Sequence, residues 1–173
     1  DVCSSDLGYG FSGGASGPTP QQLAQARRQT RAEIRSFAGQ NGIELSRREV
    51  ARLATIQQKK NLSATELQNR IINRLEMDDD GNLSGVAGSV QDALDQWSAD
   101  NGVTLSDKQI INYAGQIMRK ENDIDGVKSD LRKKFLATAY PAWTDRINAG
   151  EDVADIAAPY MNMAQQKIGR AHV

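Results

Sequence analysis

The chain has 173 residues, 5% of them aromatic and 25% charged, with a formal net charge of −1. That length suits one domain or two small ones around a modest, mainly aliphatic core. The near balance of charge supplies no electrostatic case for nucleic acid or an anionic membrane surface, and no apolar run reaches the roughly 18 residues a membrane-crossing helix needs.

In chain order, residues 1–7 (DVCSSDL) come first, and like the last six, 168–173 (IGRAHV), they lack the helical character of what lies between. Encoded as GAC GTG TGC TCT TCC GAT CT and ATC GGA AGA GCA CAC GTC, the two stretches are reverse complements. They resemble a sequencing-library adapter translated on both strands, as in an environmental sequence assembly. Both are set aside as adapter-derived, and the segment between them is expected to be truncated at both ends. Cys3 and His172, the single cysteine and the single histidine, lie in these ends. The rest therefore offers no disulfide, thiol nucleophile, Cys/His zinc site or Ser-His-Asp triad. Without Asp1, Asp6 and Arg170 it is formally neutral. Lack of cysteine suits the cytoplasm or a virus particle equally.

Residues 8–18, five of them glycine, read as a flexible linker. Thr19 and Pro20 then start a helix that runs to about Gln40, with Leu23, Ala26, Ile34, Phe37 and Ala38 at helical spacing. Asn41-Gly42 stops it. Ser46 with Glu49, and Ser63 with Glu66, are capping boxes that start a second helix, about Arg47 to Lys60, and a third. The second buries Val50, Leu53 and Ala54; the third carries Leu67, Ile71, Ile72 and Leu75 on one stripe. The acidic, glycine-containing stretch 78–85 is a loop. A further helix, about Val86 to Asp100, turns Val90, Ala93, Leu94 and Trp97 inward.

A shift of 60 residues then lays the chain on itself without a gap. Ile34 meets Leu94, Phe37 meets Trp97, Asn41-Gly42 meets Asn101-Gly102, and Leu45-Ser46 meets Leu105-Ser106. Val50, Ala54, Leu67, Ile71 and Leu75 meet Ile110, Ala114, Val127, Leu131 and Phe135. Amphipathic helices align by period alone, but the shared N-G-[IV]-x-L-S connector in the same phase is what a repeated packing unit predicts. The fold expected is all-α, a bundle or array of about eight helices with a tandem three-helix repeat. Its parts are a first repeat at 19–77, the loop at 78–85, a second repeat at 86–136 and a C-terminal helical segment at 137–167. In that segment Pro141 starts a short helix with Trp143 and Ile147 that Gly150 ends. Val153, Ile156, Ala157, Tyr160, Met161 and Ala164 form the last stripe, whose helix either starts near Ala158 or is kinked at Pro159.

No constellation in the sequence carries catalysis. The DDDGN stretch at 78–82 suggests calcium, but an EF-hand counted from Glu76 has Ala87 where a bidentate acid is required, so it reads as an acidic turn. Glu151, Asp152 and Asp155 lie where acids favour a helix start, outside any glycosidase motif. Arg27, Arg28, Arg31 and Arg35 read as a solvated face, and Met161 and Met163 as core filling or exposed surface. The catalytic, cofactor-binding and metal sets are each none, with no small-molecule ligand.

One stretch carries a family likeness. Residues 135–150 (FLATAYPAWTDRINAG) followed by 153–160 (VADIAAPY) resemble the [FY]-P-x-[WLF]-x-[DE]-x-[IL]-x-x-G…DIxxPY signature of large structural proteins of tailed bacteriophages, the minor tail and internal virion proteins. Helical repeats precede the signature there, and the likeness spans about Ala32 to Gln166. It implies a non-enzymatic virion component that packs against itself or other virion proteins and is located in the particle, or in the cytoplasm if no phage is involved. The alternative is a helical accessory region of a phage peptidoglycan-degrading protein.

Overall fold

Capping residues decide where the helices begin. The computed structural model describes residues 19–170, so the stretches 1–7 and 8–18 and the last three residues of 168–173 lie outside the described residues. Helix α1 (Pro20–Gln40) starts at Thr19, whose hydroxyl accepts from Gln22 N while the Gln22 side chain accepts from Thr19 N. Helices α2 (Arg47–Lys60) and α3 (Ala64–Ile72) start at Ser46 and Ser63, each in a box with the glutamate three residues on. Helix α4 (Gly85–Asn101) begins inside the expected 78–85 loop, and α5 (Asp107–Met118) and α6 (Ile124–Leu131) follow. The N-caps of α5 and α6, Ser106 and Asp123, lie 60 residues after Ser46 and Ser63.

The helices are all α apart from two short turns, and the described residues contain no strand. Helix α1 packs on α2 and α3, α4 on α5 and α6, and α1 on α4. Between them lies one core cluster that extends from Ile34 through Leu94 and Trp97 to Ile147 and Ile156. Each fully buried Ile or Leu there contributes roughly 1.5–3 kcal/mol.

Two details depart from the expectation, and a third decides between the alternatives it left open. Helix α3 stops at Ile72, so Leu75 is buried from the following turn, its N–H bonding to Ile72 O, rather than from a helical stripe. Past Leu131 the chain widens into a π-helical turn, Arg132–Leu136, and continues as α7 (Ala137–Ala139), so helix crosses the expected boundary at 136. The wide turn shifts the helical phase, and Leu136, not Phe135, is the fully buried residue. Pro141 ends that helix, because the residue before a proline avoids the helical region. A 3₁₀ turn, Pro141–Trp143, leads into α8 (Thr144–Asn148). Finally, α9 (Val153–Arg170) starts ahead of Pro159 and carries it in its interior, so the start near Ala158 is not the one adopted. Proline lacks the N–H that would bond to Asp155 O.

Candidate interaction surfaces

The two Asn-Gly corners share one local geometry. Asn41 Nδ2 donates to Phe37 O at 2.7 Å and Asn101 Nδ2 to Trp97 O at 2.9 Å. Gly42 and Gly102 have φ of 71° and 61°, the left-handed region in which glycine carries no steric cost. Ile43 N reaches back to Ala38 O at 2.8 Å and Val103 N to Ser98 O at 2.9 Å, which closes the free carbonyls of each helix end.

Each corner also seats the start of the next long helix. At the first, Ser84 Oγ donates to Gly42 O at 3.3 Å, and a Cβ on Gly42 would lie 1.8 Å from Ser84 O. Backbone there meets backbone. At the second, Asn101 is 1% exposed; its Nδ2 also donates to Asp152 Oδ1 at 2.9 Å, and its Oδ1 accepts from Val153 N at 3.0 Å. Asp152 receives Arg132 as well, at 3.1 Å, so one carboxylate ties α4, the π turn and the start of α9 together. Helix α9 packs on α4.

Beyond this joint the signature-like residues come together. Tyr140 and Trp143 stack with ring centroids 5.5 Å apart, and Trp143 and Tyr160 stack at 6.4 Å across 17 residues of chain. Ile147 and Ile156 are fully buried beneath them. Arg146 pairs with Glu151 around the Gly150 corner, and that bond holds the Glu151 carboxyl below the ordinary glutamate range and raises Arg146. From Ala158 to Gln166 the side chains of α9 are exposed, Tyr160 at 57%, Met161 at 60% and Met163 at 54%.

No family model, curated protein or solved structure matches the chain.

Most of the other features noted in the sequence have structural employment. Asp78 Oδ1 accepts from Asp80 N at 3.0 Å and Asn82 N at 2.8 Å, closing the acidic turn on its own backbone. Gln91, 9% exposed, clasps that turn, accepting from Leu83 N and donating to Gly81 O. Glu151 and Asp152 are engaged as described. Arg27, Arg28, Arg31 and Arg35 are exposed, and Arg27 donates to Gln58.

One grouping escaped the whole-chain charge balance. Residues 19–77 hold eleven Lys and Arg against five Asp and Glu, and the acids accumulate after them. Arg52, Arg70 and Arg74 line an open cleft of about 330 Å³ between α2 and α3, with Leu53 and Ile56 as its floor. Among the described residues none of the three lies within ion-pair distance of a carboxylate. Glu49, also lining the cleft, is spent on Ser46. Guanidinium groups so placed can fork onto a carboxylate or phosphate. Charge counted by segment would have revealed them.

Proposed function

We propose that this chain is a non-enzymatic structural component of a tailed-phage particle that works by packing its helices against other protein. The observation that carries the packing role is the apolar face of α9, where Tyr160 and Met163 stand more than half exposed beside the Tyr140–Trp143–Tyr160 stack. A face of this kind is stable in water when another protein surface covers it. Support for the virion setting comes from the likeness of residues 135–160 to the phage signature. Those same residues build the stack and the buried Ile147 and Ile156 beneath it.

Two measurements test the reading. The neighbouring reading frames should encode tail or capsid proteins, and a metabolic operon in their place would count against the virion setting. On zymograms of bacterial cell walls the full-length protein should leave no clearing, whereas a cleared band would shift the role to that of an accessory to a lytic enzyme.

A further inference from the structure

The three long helices share one stripe spacing of three, four and three residues, wholly apolar on α4 and α9 and apolar only in its second half on α1: Arg27, Thr30, Ile34 and Phe37 on α1; Ala87, Val90, Leu94 and Trp97 on α4; Val153, Ile156, Tyr160 and Met163 on α9. Their burial follows a rule. On α4 all four are buried, at 0%, 9%, 0% and 2% exposure. On α1 only the second half is covered: Ile34 is 1% exposed and Phe37 packs on the core, while Arg27 is exposed. On α9 only the first half is covered: Ile156 is 0% exposed and Val153 packs on the core, while Tyr160 and Met163 are bare.

The packing explains the rule. The front of a long helix docks on the long helix before it, α4 on α1 and α9 on α4, beside the preceding Asn-Gly corner. The two helices that follow also pack on it, α2 and α3 on α1, α5 and α6 on α4. Among the described residues the front of α1 is exposed and carries arginine, a side chain that tolerates solvent. The back of α9 carries tyrosine and methionine, and that composition asks for cover.

We infer that α9 is the leading helix of a third unit, and that its Tyr160–Met163 face is the seat for a two-helix partner of the α2–α3 and α5–α6 kind. The partner is the continuation of an interface the molecule already makes twice: a first helix with an aliphatic stripe like Val50-Leu53-Ala54 or Ile110-Tyr113-Ala114, then a capped second helix like the ones carrying Leu67 and Ile71 or Val127 and Leu131. The inference rests on the packing role proposed above and names its partner.

The shared register makes the test specific. Met163 occupies the place of Trp97, which is buried, and Met161 that of Asp95, which is exposed. In a chain whose residues 167–173 are replaced by a second copy of residues 101–139, peroxide oxidation of Met163 should slow at least about tenfold relative to the native chain, while Met161 keeps its rate as an internal control. Equal rates at Met163 with and without the extension would overturn the inference. Should the extended chain fail to fold, hydrogen exchange on the unextended chain decides: the amides of Val153, Ile156 and Ala157 should exchange about 100-fold more slowly than those of Tyr160–Gln166, and uniform protection at these positions overturns it. Sedimentation separates this from the wider reading. A native chain that dimerises through α9, protecting both methionines, would make the occupant a second copy and leave the packing role standing. A monomer whose α9 face takes no cover in either chain removes both.

Discussion

The corners at Asn41-Gly42 and Asn101-Gly102 are identical in sequence and nearly so in local geometry, yet the molecule uses a different residue of each. At the first corner the glycine is the working residue, because the backbone of Ser84 and Gly85 lies against it; Asn41 is half-buried and bonds only to its own helix. At the second, a Cβ on Gly102 would meet nothing within 4 Å, and Asn101 is the working residue, sealed at 1% exposure between Trp97, Asp152 and Val153. A local motif can therefore dictate a chain reversal while leaving open which of its atoms carries the tertiary joint.

That contrast is sharpest in the glycines. Gly42→Ala should cost about 3 kcal/mol or more, since the methyl group strikes backbone that cannot retreat without separating α1 from α4. Gly102→Ala should cost only the roughly 1–2 kcal/mol of placing a side chain in the left-handed region. Urea denaturation of both variants measures the gap, and equal losses would mean that the first corner yields.

The asparagines should rank the other way. Asn101→Ala strips the N–H of Val153 and the Asp152 carboxylate of a buried partner, at about 2–3 kcal/mol, whereas Asn41→Ala should cost about 1 kcal/mol. Thermal melts check the order. A loss at Asn41 matching that at Asn101 would dissolve the distinction.

The smallest expected effect lies one step past each corner, where Ser46 is boxed by Glu49 and Ser106 by Gln109. Bonds from the Ser46 side chain and backbone, with Arg74 and Arg52 nearby, hold the Glu49 carboxyl below the ordinary glutamate range; Ser63 does the same for Glu66. A lowered folded value means that the stabilisation is present above the unfolded value of about 4.3 and disappears as pH falls through the lower, folded one. The first unit should therefore weaken below about pH 4.3 through Glu49 and Glu66. Glu49→Gln should flatten the fall of the urea midpoint between neutral pH and about pH 3, and Gln109→Glu should steepen it. Parallel profiles for all three chains would show that these boxes do not set the acid response.

Much of the fold could be read before any coordinates. The starts of α2 and α3 at Ser46 and Ser63, the stops at Asn41-Gly42 and Asn101-Gly102, and the buried Ile34, Val50, Ile71, Leu94 and Leu131 follow from caps, turns and periodicity, which act within one or two helical turns. The π turn at Arg132–Leu136 was not legible, because the phase of a helix is reset by what its far end must bury. Nor was the clasp of Gln91 on the 78–85 turn, whose partners are backbone atoms without a sequence signature.

The same boundary separates the two kinds of knowledge about the surface. The sequence by itself determined an all-helical chain, the spacing of its apolar stripes and the likeness around Tyr140, Trp143 and Tyr160. Whether a stripe is core or contact face was settled only by tertiary structure. Ile34, Leu94 and Tyr160 sit at the same step of the same stripe, and two are buried while the third is exposed. Amphipathicity is a property of one helix, but burial depends on its neighbour: Leu94 is sealed by one, and Tyr160 is left more than half exposed.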